Sequence, residues 1–203
     1  PNELRDFFTA FADRIGADTF VLKGYSLGGR IALSMLETMP DRISRAVLIA
    51  PDGLHTKPWY RVFASLHWGR KRYAHFIDHP ERMHRVADVL QSIGLLSNKM
   101  HRFVIGQTDT REKRQLLHDV WLSFRHIEPD LDRVAGNIRA HHMPVTLVFG
   151  AKDSVIKPKL ADRFRPKAPE LIQVGVVEAG HQLLTPEVAD LVRRSLVTDA
   201  ART

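Results

Sequence analysis

The sequence predicts an α/β fold built around a mostly parallel sheet. Short apolar, β-branched segments alternate with segments in which apolar residues recur at helical spacing. That alternation is typical of parallel strands covered by helices on both faces. Residues 56–140 have helical spacing only, which predicts helices inserted between two parts of the core, residues 1–55 and residues 141–203.

The first part of the core is predicted to alternate helix and strand. The opening helix ends at Gly16, and Pro40 stops the second helix because proline cannot continue one. The turn-forming composition of Pro51-Asp52-Gly53 closes the second strand. The predicted elements are, in order, a helix over 4–15, a strand over 19–23, a helix over 27–39 and a strand over 46–50.

The second part of the core repeats the pattern. Strands are predicted over 145–149 and 172–177, with a short helix over 158–164 between them. The last helix begins at Thr185-Pro186, where threonine caps the helix and proline takes its first position. The stretch between the two parts predicts three to five helices punctuated by glycine and proline.

Composition excludes several classes of protein. The chain has no cysteine, so it has no disulfide framework, no thiolate zinc site and no cysteine nucleophile. No uninterrupted apolar run reaches the length of a membrane span, and the first residues lack the pattern of a secretory signal. Cytoplasm is the default location, and the oligomeric state is not indicated.

The net charge of +7 is unevenly distributed. Between His55 and Met143 there are 15 Lys and Arg against 9 Asp and Glu, and 10 of the 11 histidines lie there. These basic residues alternate with acidic and apolar ones, which argues against nucleic-acid binding. A solvated helical surface and attraction of an anionic small-molecule substrate both stay open. His75 and His79 are four residues apart, but no carboxylate completes a metal site at useful spacing, so no metal is expected.

The segment Gly24-Tyr25-Ser26-Leu27-Gly28 places a serine where a strand turns into a helix. In such an elbow the serine backbone is strained and the hydroxyl projects from the carboxyl end of the sheet. We expect glycine at 24 and 28 because the tight turn brings both positions close to neighbouring backbone. The Leu27 N–H, at a helix N-terminus, is placed to stabilise an oxyanion. A glycine-flanked serine can also be a simple turn, but the strand before it and the helix after it favour a nucleophile.

A base and an acid follow two later strands. A serine hydroxyl becomes a useful nucleophile when a base takes its proton and a third group orients that base. Asp153 comes just after the third strand and His181 just after the fourth. Because parallel strands end at one edge of a sheet, we expect Ser26, Asp153 and His181 to gather there. Asp52, which follows the second strand, is the alternative acid.

These motifs, GYSLGG, FGAKDSVI and EAGHQL in the order Ser, Asp, His, resemble those of the α/β-hydrolase superfamily and its capped serine hydrolases. The resemblance covers residues 1–55 and 141–203. It implies Ser26 as nucleophile, His181 as general base and then acid, and Asp153 as the residue that orients His181. It also implies a helical cap at residues 56–140 and no cofactor.

The chain departs from the superfamily pattern at its start. Its first helix corresponds to the one that precedes the nucleophile strand, so the early strands and the loop that gives the second oxyanion N–H have no counterpart. We therefore expect these 203 residues to be part of a longer polypeptide, because the strand at 19–23 would otherwise be an exposed apolar edge.

The function expected from the resemblance is hydrolysis of an ester or related acyl bond. Related enzymes with the same triad cleave carbon–carbon bonds, thioesters or the amide of an N-terminal proline, and these remain alternatives. The alternative from another class is a non-catalytic binding protein with an incomplete oxyanion hole. The intact serine, aspartate and histidine argue against it.

Overall fold

The structure, a computed structural model, describes residues 2–55 and 67–197. It confirms the predicted α/β fold with a parallel sheet. The four strands of the described sheet lie in the order β1-β2-β3-β4, and every neighbouring pair is parallel. The strands are β1, Phe20–Tyr25; β2, Ile43–Ile49; β3, Val145–Gly150; and β4, Ile172–Val177.

Nine helices are described within those residues. They are α1, Asn2–Arg14; α2, Leu27–Thr38; α3, His67–Asp78; α4, Glu81–Ser92; α5, Asn98–Thr108; α6, Arg111–Ser123; α7, Leu131–Ala140; α8, Ala161–Phe164; and α9, Pro186–Val197. Short 3-10 turns at Pro40–Arg42, Pro158–Leu160 and Arg165–Lys167 complete the regular structure.

The core of the sheet lies in its two central strands. All six residues of β3 are buried, and so are the last four of β2, as the continuous apolar runs predict. β1 and β4 form the edges of the described sheet, and Val21 of β1 is 44% exposed. The carboxyl ends of all four strands meet at one edge, because Tyr25 pairs with Ile49 and Gly150 with Val177.

Helix α2 fixes the position of the serine turn against the sheet. Its buried residues pack against β1 and β2, and α7 packs beside it. The Asn137 side chain of α7 donates hydrogen bonds to the carbonyls of Leu36 and Glu37, where α2 ends. These bonds satisfy carbonyls that the helix end leaves without partners, so the C-terminal end of α2 is tied to α7.

Contacts between Cα atoms divide the chain into two compact units. One comprises Pro1–His55 with Ile127–Thr203 and contains the whole described sheet; the other is Thr56–His126. Helix α7 lies in the first unit, whereas the expected cap boundary at residue 140 groups it with the inserted helices. The division into core and cap at 56 and 140 stays a prediction.

The second unit contains α3 to α6. Ser97 and Thr110 cap α5 and α6 by accepting hydrogen bonds from backbone N–H groups of the first turn. The buried Arg114 guanidinium donates to the carbonyls of Ile77 and Thr108. These bonds tie α6 to the ends of α3 and α5 through one side chain. No described helix in either unit has the length and apolar character that crossing a membrane requires.

Candidate active site

Ser26 is the single residue between β1 and α2. Its backbone has φ 51° and ψ −116°, and residues other than glycine rarely adopt a positive φ. A Cβ added at Gly24 would lie 2.5 Å from the Gly28 carbonyl oxygen, so glycine is required at 24. A Cβ added at Gly28 would meet no described atom within 4 Å, so the crowding expected there is absent from the described structure.

Hydrogen bonds with β2, with the loop after it and with α2 hold the Ser26 backbone. The Ser26 N–H donates to the Ile49 carbonyl over 3.0 Å, and the Ser26 carbonyl accepts from the N–H groups of Gly29 and Asp52, each over 2.9 Å. The Ser26 carbonyl and the Leu27 N–H belong to one planar peptide unit, so these bonds also fix the direction of the Leu27 N–H. That N–H lies in the first turn of α2, where the helix dipole favours negative charge.

The structure brings the three predicted residues together. Ser26 Oγ lies 3.2 Å from Nε2 of His181, and His181 Nδ1 lies 2.8 Å from Oδ2 of Asp153. With its proton on Nδ1 and shared with Asp153, the imidazole presents the lone pair of Nε2 to the serine hydroxyl. The three side chains form a continuous hydrogen-bonded chain although they come from three separate loops.

The Asp153 side chain is fully buried and accepts three hydrogen bonds. Its Oδ1 accepts from the N–H groups of Val155 and Ile156 over 2.7 and 2.9 Å, and its Oδ2 faces His181. Burial acts to raise the pKa of this carboxyl, but the hydrogen bonds from His181 and the two backbone N–H groups outweigh it and leave the pKa below its usual value. Asp153 is therefore a carboxylate at neutral pH.

Gly150 allows the loops that carry Asp153 and His181 to touch. A Cβ at this position would lie 2.3 Å from the Gly180 carbonyl oxygen and 2.5 Å from that of Ala179. The Lys152 N–H donates to the Ala179 carbonyl in the same contact. Our sequence analysis missed this role of Gly150; the available signal was a glycine at a strand end, which often marks close backbone approach.

Asp52, the alternative acid, has other partners. One carboxylate oxygen lies 2.6 Å from Nη2 of the buried Arg30, and the other accepts from the Gly53 N–H. None of the hydrogen bonds that the structure describes joins Asp52 to His181. The geometry therefore places Asp153, and not Asp52, against the imidazole.

The remaining titratable clusters do not form a metal site. The rings of His75 and His79 lie 4.5 Å apart, but within residues 2–55 and 67–197 no group of three metal-binding side chains comes together. Holding a metal ion takes three or four such ligands. The described residues therefore offer no ligand set for a metal cofactor.

Solved structures share this fold at low sequence identity. A carboxylesterase of Nitrososphaera gargenis superimposes with a TM-score of 0.59 and 16% identity, covering 100% of this chain and 73% of its own. A thermophilic esterase of Thermogutta terrifontis superimposes with a TM-score of 0.57 and 19% identity, covering 97% of this chain and 69% of its own. At these identities the likeness shows the fold alone.

Sequence comparison gives a relative and a family. The uncharacterized hydrolase YugF of Bacillus subtilis is 20% identical over 182 residues, which is 85% of this chain; the chain spans 65% of the length of that relative. The family model described as "alpha/beta hydrolase fold" matches residues 2–186. This match includes β1 to β4 and all three residues of the hydrogen-bonded chain, so the protein belongs to the alpha/beta hydrolase family.

Proposed function

We propose that this protein hydrolyses a carboxylic ester or a related acyl bond, with Ser26 as nucleophile, His181 as general base and Asp153 as the residue that orients His181. One observation carries the proposal: the unbroken contact from Ser26 Oγ through the His181 ring to the buried Asp153 carboxylate. An activated serine needs this arrangement of nucleophile, base and orienting acid.

In the first half-reaction Ser26 Oγ attacks the acyl carbon while its proton passes to Nε2 of His181. The carbonyl oxygen becomes an oxyanion, to which the Leu27 N–H donates a hydrogen bond. When the tetrahedral intermediate collapses, the bond to the leaving alkoxide breaks. His181 gives its proton to that alkoxide, so an alcohol departs and an ester on Ser26 remains.

In the second half-reaction water replaces the alcohol. His181 Nε2 takes a proton from a water molecule as its oxygen attacks the acyl carbon. The new intermediate then expels Ser26 Oγ, which regains its proton from His181. The products are a carboxylic acid and free enzyme, and Asp153 stays ionised throughout while it stabilises the imidazolium.

The substrate class rests on comparison and charge. The solved structures described above include a carboxylesterase and an esterase, which favours an oxygen ester over a thioester, a carbon–carbon bond or a proline amide. The basic excess between residues 55 and 143 would attract an anionic ester.

We assign the inserted unit as the cap from its place in the chain between β2 and β3.

Ester hydrolysis by matched variants tests the proposal. We expect Ser26→Ala and His181→Ala each to abolish turnover of a p-nitrophenyl ester by the full-length protein, with little change in the thermal midpoint. Ser123→Ala and His79→Ala, which alter exposed residues of the inserted unit, serve as controls and should keep full activity. Retention of most activity by Ser26→Ala would contradict the proposal, and an inactive wild-type protein would favour the non-catalytic alternative.

A further inference from the structure

The side chain of Tyr25, which precedes the nucleophile, reaches the loop that carries the base. Its hydroxyl donates a hydrogen bond to the His181 carbonyl over 2.7 Å. Its ring lies beside the imidazole, with the two centroids 5.7 Å apart and the planes inclined by 30°. Tyr25 therefore contacts both the backbone and the ring of His181.

We propose that Tyr25 is a positioning residue that holds the His181 loop at the distance from Ser26 that proton transfer requires. The inference rests on the proposed function, because it assigns Tyr25 a role in activating Ser26 through His181. The Tyr25 hydroxyl acts on the base through the backbone carbonyl of His181.

The loop needs such an anchor because it has no regular structure. Residues 178–185 connect β4 to α9 without a helix or strand. The loop is tied to the β3 side at its beginning, where the Lys152 N–H donates to the Ala179 carbonyl. Tyr25 ties the loop from the opposite side, at His181 itself. The imidazole is thus held between the strand that carries the acid and the strand that carries the nucleophile.

The distance between Ser26 and His181 is already at the upper limit for proton transfer. Proton transfer needs heavy atoms within about 2.6 to 3.2 Å of each other, and Ser26 Oγ and His181 Nε2 are 3.2 Å apart. Tyr25 and Ser26 are adjacent in the chain, so the hydrogen bond to the His181 carbonyl links the base to the nucleophile by a short, stiff path. Losing that bond would let the loop relax away from Ser26 and lower the rate of acyl transfer without changing substrate binding.

The raised pKa of Tyr25 favours the protonated hydroxyl, which is the form that donates a hydrogen bond. Burial raises the pKa of the phenol, a backbone hydrogen bond from Leu183 opposes that change, and the negative charge of Asp153 adds to it. Because the net shift is upward, the hydroxyl keeps its proton to higher pH than an ordinary phenol does. The hydroxyl can therefore go on donating to the His181 carbonyl at moderately alkaline pH.

Tyr25→Phe is the direct test, because it removes the hydroxyl and keeps the ring. We expect kcat for a p-nitrophenyl ester to fall by about 10- to 100-fold, as for a small displacement of a catalytic group, with KM nearly unchanged. Tyr73→Phe is the matched control. It removes the buried hydroxyl of a tyrosine in the other unit, for which the described structure records no hydrogen bond, and it should leave kcat unchanged.

A double variant separates positioning from general structural support. If Tyr25 acts through His181, adding Tyr25→Phe to His181→Ala should change the residual rate by less than about twofold. An equal loss in both backgrounds would overturn the inference. A Tyr25→Phe enzyme with wild-type kcat would overturn it too, while an inactive Ser26→Ala in the same assay would leave the proposed function standing. An active Ser26→Ala would instead overturn the proposed function.

A second substitution covers the case in which Tyr25→Phe does not fold. Difluorotyrosine at position 25 keeps the shape and the hydrogen bond but ionises at lower pH than tyrosine. We expect kcat of this variant to decline at alkaline pH where the wild type stays active, because the phenolate no longer donates to the His181 carbonyl. Identical pH profiles for the two proteins would overturn the inference.

Discussion

Replacing Asp153 with asparagine should leave the fold intact and disable His181. Oδ1 of Asp153 accepts hydrogen bonds from the N–H groups of Val155 and Ile156, so an asparagine would place its carbonyl oxygen there. Its NH₂ group would then occupy the position of Oδ2 and donate to Nδ1 of His181. The imidazole would carry its proton on Nε2, which faces Ser26, and would have no lone pair to offer the serine.

The expected size of the effect follows from this change of tautomer. Fixing the imidazole in the wrong tautomer costs roughly 10⁴-fold in kcat in the serine-protease triad, and we expect a loss of about 10³- to 10⁴-fold here. Asp52→Asn is the matched control. It removes the negative charge that faces the buried Arg30, whose side chain is 7% exposed, and should cost about 2 kcal/mol of folding free energy, with activity within about tenfold of the wild type.

The assay measures ester hydrolysis per folded molecule. Circular dichroism gives the folded fraction of each variant, and denaturant unfolding gives its stability. We expect Asp153→Asn to lose activity and keep most of its stability, and Asp52→Asn to keep its activity within about tenfold and to lose about 2 kcal/mol of stability. An active Asp153→Asn beside a folded but inactive Asp52→Asn would transfer the role of the acid to Asp52 and refute the reasoning.

Three further predictions concern sterics, pH and charge. Gly24→Ala should destabilise the protein by at least about 2 kcal/mol, because its Cβ would overlap the Gly28 carbonyl, whereas Gly28→Ala should be tolerated; equal unfolding midpoints would contradict this. The folded pKa of Asp153 lies below its usual 3.8, so its ionised form stabilises the fold above that pH and this contribution is lost as pH falls through the folded pKa. The stability difference between wild type and Asp153→Asn should therefore shrink below pH 3.8. A difference that stays constant with pH would contradict this prediction. Added salt should lower kcat/KM for a carboxylate-bearing ester more than for a neutral ester of similar size; an equal response would favour a merely solvated basic surface.

The sequence could predict the parallel sheet and the meeting of Ser26, Asp153 and His181 because both follow from local patterns. Apolar β-branched runs between helical segments predict parallel strands, and parallel strands place their following loops at one edge. The catalytic roles of the three residues stay a prediction. The ends of the strands were predicted less accurately than their existence. β2 begins at Ile43 and not at residue 46, because pairing with Phe20 of β1 extends it through two polar residues.

Contacts between distant segments could not be predicted from local patterns. The touching loops at Gly150 and Gly180 depend on how β3 and β4 are aligned, and the Tyr25 hydroxyl meets a carbonyl 156 positions away. At Gly28 the sequence predicted a close contact that the described structure lacks. The motif predicted crowding at both of its glycines, and the described structure shows crowding at Gly24 but not at Gly28. Such details depend on tertiary packing, which a single sequence encodes only indirectly.

Labelling with a fluorophosphonate tests the central claim most directly. This probe reacts with a serine hydroxyl that a neighbouring base has activated, so it reports on the nucleophile without requiring knowledge of the substrate. We predict that the full-length protein forms a covalent adduct, that peptide mass spectrometry locates it on Ser26, and that Ser26→Ala and His181→Ala form none. An adduct on another serine, or no adduct on folded wild-type protein, would contradict the account.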